Sequence, residues 1–457
     1  MSDQSGSPDR SGRVCVIGAG SSGLAAAKNF AAAGFEVDVL ESCTDLGGNW
    51  NYESPAARVY RSTHTISSKP GTEYLDYPMP ESYPDYPHHE KILAYLRGYA
   101  ERFDLGRFIE YETHVERVER SAEPGHSGEA CWDVRLAGGE LRRYGALVIA
   151  NGHNNEPRTP EYPGHFEGES MHSAEYRVSE ILLGKSVLVV GGGNSGCDIV
   201  VEAAHKANAA FHSTRRGYHY LPKYLWGQPS DQIAGLMHAL RIPMRIQRIL
   251  GMISLRLARG PQARLGLPEP DHRLFETHPI VNTLLPYFVQ HGAITPKPDI
   301  ARLAGRRVHF VDGTSETIDL LVWATGYDIT FPFLDIEYLN PSEGLPRLYK
   351  HVFHPEYDNL FVMGMITPDS GQFGIVDWQC RAAALYLRSA YEGAPNAWLK
   401  KRKRTPVEDL GGGVRYQKTY RHHLEVEHAS YTRALKKLVR RLARGMCATR
   451  PPFRSPS

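Results

Sequence analysis

The chain of 457 residues has no run of about eighteen consecutive apolar residues, so its sequence gives no transmembrane helix. Its first dozen residues, MSDQSGSPDRSG, lack the apolar stretch of a signal peptide. The six cysteines (Cys15, Cys43, Cys131, Cys197, Cys380 and Cys447) include no C-x-x-C pair and no metal-ligand spacing. Zinc and redox-disulfide chemistry are therefore disfavoured, and the expected picture is one of reduced thiols in the cytoplasm. Charge excess is missing too: 53 Lys+Arg stand against 51 Asp+Glu, a net charge of +2, which excludes a strongly polyanion-seeking protein. No short-period repeat occurs, which argues against a solenoid. What is present is a hydrophobic fraction of 41%, enough for real cores, in a chain long enough for two or three domains.

Two short apolar runs each lead into a glycine-rich turn and a helix-like segment. Val14–Ile17 precedes Gly18, Ala19, Gly20, Ser21, Ser22 and Gly23. Val187–Val190 precedes Gly191, Gly192, Gly193, Asn194, Ser195 and Gly196. Continuous apolar runs suit parallel strands buried on both faces. Two further runs, Ala146–Ala150 and Leu320–Ala324, end in small-residue turns at Gly152 and Gly326. The order implies an α/β fold of two Rossmann-like dinucleotide-binding domains, the second inserted into the first. The expected boundaries are 12–168 for the first part of the outer domain and 169–318 for the inserted domain, with an irregular insertion at about 220–300. The outer domain resumes over 319–395, and a basic tail follows over 396–457.

In a G-x-G-x-x-G turn the first glycine makes the tight turn and the second lets the backbone approach a pyrophosphate. The third lets helix and strand pack closely, and the helix N-terminus supplies N–H donors. After Gly18, Gly20 and Gly23 the next strand ends at Glu41, placed to bond a ribose hydroxyl. After Gly191, Gly193 and Gly196 the corresponding strand ends at Thr214, Arg215 and Arg216. A carboxylate repels a 2′-phosphate and guanidinium binds it, so FAD is expected in the first site and NADPH in the second. Hydride transfer from nicotinamide to flavin is the implied half-reaction.

At this point the residues resemble the flavin-containing monooxygenases. Asp45–Trp50, with Gly48, Asn49 and Trp50, is similar to the family segment along the flavin. Phe166, Gly168, His172 and Tyr176 fit its linker signature, and Tyr176 favours it over typical Baeyer–Villiger relatives. Asn194, Ser195 and Asp198 match its second turn, and Ala324–Tyr327 its A-T-G-Y segment. The resemblance spans about residues 12–390 and implies oxygen chemistry on the cofactor: NADPH reduces FAD, NADP⁺ stays bound, and dioxygen adds at flavin C4a. The hydroperoxide then passes one oxygen to a soft nitrogen or sulfur nucleophile of a small organic substrate. It implies no side-chain nucleophile; the candidates for direct roles are His64, Thr65, Ile66 and His172. Thr65 is also expected against FAD, and Asp198 with NADP. Ile66 stands where the family usually has asparagine, and isoleucine cannot hydrogen-bond a cofactor. Ketone oxygenation therefore stays as the alternative within enzymes, and a nucleotide-binding interaction protein as the alternative outside them.

His172 is read first as a structural residue of the linker, and the glycines of Thr367–Gly374 as permitting either a plain turn or close approach to the flavin. Ile242–Leu257 reads as a packed helical insertion, with tunnel lining or lipid contact as alternatives. Residues 400–457 hold sixteen Lys+Arg against four Asp+Glu. Within them Leu435, Leu438, Val439 and Leu442 form one helical stripe opposite Lys436, Lys437, Arg440, Arg441 and Arg444, expected to dock on the protein with the cations in water. Peripheral contact with an anionic membrane is the second reading of this tail. Nucleic acid is not an expected partner, because no reading module is present. No metal is expected, and the oligomeric state is left open.

Overall fold

The computed structural model describes residues 9–124, 130–342, 345–392, 396–405, 410–411, 414, 416 and 423–446. The chain opens with a βαβ unit: β1 (Asp9–Ile17), α1 (Ser21–Ala32) and β2 (Val37–Leu40), with Val14 opposite Val37 and Ile17 opposite Leu40 in parallel register. Ala25, Ala26 and Ala27 are fully buried, and such small side chains let α1 lie close on the sheet. After α2 (His89–Arg102) come β3 (Ile109–Glu110), β4 (Val115–Pro124), β5 (Ala130–Leu136) and β6 (Leu141–Ile149). The strand order is β3-β2-β1-β6-β5-β4, parallel from β3 to β6 and antiparallel through β5 and β4.

The chain then leaves this sheet for a second one. Its elements are β7 (Gly164–Phe166), β8 (Glu169–His172), β9 (Ser186–Val190), α3 (Asn194–Lys206) and β10 (Ala209–Ser213). Helices α4 (Ser230–Ala239), α5 (Met244–Arg259) and α6 (Leu284–Gln290) follow. Next come β11 (Thr295–Lys297), β12 (Ile300–Gly305), β13 (Arg307–Phe310), β14 (Ser315–Thr317) and β15 (Leu320–Trp323). A five-stranded, wholly parallel sheet runs β11-β10-β9-β15-β8, and β7, β12, β13 and β14 form a smaller sheet. Only afterwards does β16 (Leu360–Val362) return to pair with β6, followed by α7 (Phe373–Tyr391) and α8 (His428–Met446).

The insertion of one nucleotide fold into the other is thus as expected, but two boundaries move. Residues 320–323 lie beside β9, with Leu320 opposite Val187, and so belong to the inserted lobe rather than to an outer part starting at 319. The strand is apolar on both faces and fully buried, and such a strand fits any interior slot of a parallel sheet. Strand β7, assigned by sequence to the outer lobe, pairs with β12 of the inserted one. The basic tail is not a separate unit within its described residues. Leu438 and Leu442 join the same core as Leu24 and Phe30 of α1, while Tyr431 and Leu435 fill an adjoining core. The apolar stripe therefore docks, as the pattern predicts.

Helix α5 is packed on one side only. Gln247 and Leu255 are buried and Gly251 abuts Leu274, whereas Ile249 and Leu257 are 59% and 79% exposed.

Candidate functional site

The first turn is built by backbone collisions that side chains would create. Gly18 has φ +100°, and a Cβ there would lie 2.8 Å from the Ala150 carbonyl oxygen; one at Gly23 would lie 1.8 Å from the Gly18 oxygen. The protein itself therefore demands glycine at both. Gly20 differs: a Cβ there would meet only Gly48 Cα at an ordinary 3.8 Å, so its bareness leaves space for something else. Gly20 is the N-cap of α1, which has neither a side-chain cap nor an acid in its first turn, leaving N–H donors for an anion. Glu41, at the end of β2, is buried and accepts from Ala19 N–H (2.7 Å) and Cys43 N–H (2.9 Å). Two carboxylate oxygens carry about four acceptor sites, so capacity remains for a hydroxyl. The Ser21 carbonyl accepts the Tyr74 hydroxyl (2.6 Å), and Ser22 Oγ fills the place a Gly364 side chain would take.

Gly48–Trp50 forms a single helical turn against this site. Thr65 is buried, and its hydroxyl has no hydrogen-bond partner. A buried orphan hydroxyl and a bare Gly20 backbone are what a site for a large polar ligand presents before the ligand arrives. Ile66 is half-buried beside Thr65; His64 is exposed, with Nδ1 2.8 Å from the Ser62 carbonyl.

The second turn repeats the geometry. Gly191 has φ +122°, with Ala324 O 2.2 Å from a hypothetical Cβ, and Gly196 packs against the Gly191 carbonyl. Beneath it His212 is buried and holds the Gly191 carbonyl (2.9 Å); burial pushes its pKa down to about 4, so the neutral ring donates. Gly193 caps α3 without a side-chain bond. Ser195 and Arg215 are exposed and Arg216 is half-buried, both arginines following β10. Two expected ligands are otherwise engaged. Asn194 Oδ1 accepts from Val281 N–H (2.8 Å) and its Nδ2 donates to the Pro279 carbonyl (3.2 Å). Asp198, one turn further along α3, accepts from Tyr60 Oη and Asn282 Nδ2, both at 2.8 Å, and burial raises its pKa. Its carboxylate ties Tyr60 of the outer lobe to Asn282 of the inserted one.

His172 is buried and accepts from Ala174 N–H through Nδ1 (3.1 Å), its ring edge-on to Tyr327; burial lowers its pKa. A ring held in this way pins the linker, while its Nε2 is buried with no hydrogen-bond partner. The 367–374 loop is explained by packing: a Cβ on Gly371 would lie 2.1 Å from the Gly71 carbonyl. In the same loop Asp369 is half-buried near Glu427, and its pKa is pushed up to about 7, desolvation being the larger cause and the Glu427 charge the next. Sequence reasoning missed Tyr60, Asn282, Lys223 and Asp231. The last two lie in the irregular insertion and reach back to the Thr65–Ser68 segment.

The flavin-binding monooxygenase-like family model matches residues 11–428. Dimethylaniline monooxygenase 2 (N-oxide-forming) of Rattus norvegicus is 34% identical over 389 residues, covering 81% of this chain and 72% of that protein. Among solved structures, S-allyl-L-cysteine S-oxygenase from Allium sativum superposes with a TM-score of 0.62 at 22% identity, covering 96% of this chain and 93% of that one. An ε-caprolactone-bound cyclohexanone monooxygenase superposes with a TM-score of 0.68 at 17% identity, covering 95% and 98%. With two glycine-floored nucleotide turns on separate sheets, the chain belongs to the flavin-binding monooxygenase-like family and is a flavoprotein monooxygenase that uses FAD and NADPH.

Proposed function

We propose that this monooxygenase transfers one oxygen atom of dioxygen to a soft nitrogen or sulfur centre of a small organic molecule. The observation that carries the reading is the pairing of two unlike turns, one ended by the buried Glu41 and the other by Arg215 and Arg216. The N-oxide-forming relative supports the substrate class. When bound, FAD supplies the oxygen-transferring ring and NADPH the hydride. The backbone of Gly18–Gly23 and the N-terminus of α1 would hold the FAD pyrophosphate and Glu41 its ribose, with Gly48–Trp50 and Thr65 alongside. Gly191–Gly196 and the N-terminus of α3 would hold the NADPH pyrophosphate, and Arg215 and Arg216 its 2′-phosphate. The Tyr60–Asp198–Asn282 bridge keeps the lobes in register and helps exclude water from the seam. Ile66 favours a second reading, ketone oxygenation, because it withdraws the amide usual at that position.

The test is to supply NADPH and oxygen with a tertiary amine, a thioether or a cyclic ketone, measuring product against NADPH consumed. N-oxide or sulfoxide close to one per NADPH is the expected result. Lactone alone would establish the ketone reading instead.

Peripheral membrane contact completes the proposal. No helix among the described residues is long and apolar enough to cross a membrane. Helix α5 instead exposes Ile246, Ile249, Leu250, Ile253 and Leu257, flanked by the exposed Arg245 and Arg256. Beside its start, a groove of about 590 Å³ is shared by Arg241, Met244 and Gln247 with Ser430 and Arg433 of α8. The basic face of α8 runs on from there. An exposed apolar stripe with arginines along one side of it suits an anionic bilayer surface. Flotation is expected with phosphatidylserine-containing vesicles and to fail for Ile249→Asp/Ile253→Asp; equal recovery with neutral vesicles would remove the electrostatic part.

A further inference from the structure

Ile66 is bracketed by two charged residues from the insertion. On one side Lys223 Nζ donates to the Thr65 carbonyl (3.3 Å); on the other, Asp231 Oδ2 accepts from both Ser68 N–H and Ser68 Oγ (2.8 Å each). The lysine is firmly placed. Its N–H donates to Thr283 Oγ1 (3.1 Å), its carbonyl accepts the Tyr86 hydroxyl, and its ammonium lies 4.9 Å from the centre of the Tyr86 ring.

Among the described residues no carboxylate comes within 4 Å of that ammonium. Asp198 acts on it only from a distance and is itself held by Tyr60 and Asn282. An ammonium has three donors, and here one neutral carbonyl and an aromatic face satisfy it while burial lowers its pKa. The adjacent Thr65 hydroxyl is buried with no partner at all. A half-buried cation without a carboxylate, next to an orphan hydroxyl, is costly unless a ligand brings acceptors.

We propose that Lys223 is a cofactor-contacting residue, donating to the bound flavin–NADP⁺ pair at the lobe seam in the role Ile66 cannot fill, with Asp231 as the positioning residue that fixes the intervening segment. This rests on the reading that Thr65 lies against the flavin. It makes the insertion a part of the cofactor site.

The test uses FAD-loaded wild type, Lys223→Met and Lys223→Arg. The readouts are the Kd for NADP⁺ from flavin fluorescence and the flavin midpoint potential. Lys223→Met is expected to keep FAD, to bind NADP⁺ about tenfold more weakly, and to shift the potential downward, because a cation favours the reduced, anionic ring. Lys223→Arg restores both. Unchanged affinity and potential in Lys223→Met overturn the proposal. If that variant does not accumulate as folded protein, Lys223→Gln is measured instead, since it keeps a donor for Thr65 without charge; wild-type values there overturn it equally. Anaerobic reduction of wild type by NADPH separates the two levels. Failure of that reduction sinks the functional reading, whereas normal reduction with an unaltered Lys223→Met sinks only the role of Lys223.

Discussion

Alanine at both Arg215 and Arg216 is expected to lower kcat/KM for NADPH about a hundredfold or more and to leave that for NADH nearly unchanged. Both residues follow β10, the parallel neighbour of β9, whose end makes the second turn; that is where the ribose of a nucleotide held by the turn arrives. The backbone that follows the two arginines is fixed. Gly217 is pressed so tightly on the 268–269 backbone that a Cβ would sit 2.3 Å from the Glu269 carbonyl oxygen. Charge-assisted hydrogen bonds contribute about 1.5–3 kcal/mol each, so losing two removes two or more powers of ten in affinity. The effect belongs in KM, because a phosphate remote from the nicotinamide binds alike in ground and transition states. A double variant with the wild-type preference would take the 2′-phosphate away from these arginines.

The other large effect is expected from Gly23→Ala. The added methyl would lie 1.8 Å from the Gly18 carbonyl oxygen and 2.9 Å from its carbon, both backbone atoms at the crossing of α1 and β1. Neither can yield without lifting the helix N-terminus off the turn, where the pyrophosphate would sit. The protein is expected to purify without yellow cofactor and to lose about 3 kcal/mol or more of stability. Gly12→Ala is the control, since a Cβ there meets nothing within 4 Å. The checks are the flavin-to-protein ratio and the thermal midpoint of each. A fully yellow, fully stable Gly23→Ala would mean that the turn does not carry FAD.

The turns were legible because they are local. Gly18, Gly23, Gly191 and Gly196 answer to collisions within a few residues or with the neighbouring strand end, and spacing alone reveals such needs. The strand ends were equally plain in Glu41 and in Arg215 and Arg216. What stayed hidden was long-range. Lys223 meets Thr65 across 158 residues, Asp231 meets Ser68 across 163, and Tyr60 meets Asp198 across 138. No periodicity records that a lysine in an unpatterned insertion will end beside a threonine near the start of the chain. Leu320–Trp323 failed differently: its four apolar residues declared a buried strand without saying in which sheet. The α8 stripe showed that the helix must dock, and the identity of its bed, the α1–α7 core, came only from the fold.

The interleaving of the two lobes sets an order of construction. The inserted lobe is continuous in sequence and closes as soon as β15 leaves the ribosome, because both neighbours of that strand, β9 and β8, are already made. The outer lobe begins first and finishes last. Its β6 waits for β16, and its core around Leu24 and Phe30 stays open until α7 and α8 emerge. Nascent chains therefore carry a finished nicotinamide-nucleotide lobe tethered to an unfinished flavin lobe, the half exposed to chaperones and to aggregation. Chain termination anywhere before α8 leaves the half of the protein that was begun first incomplete.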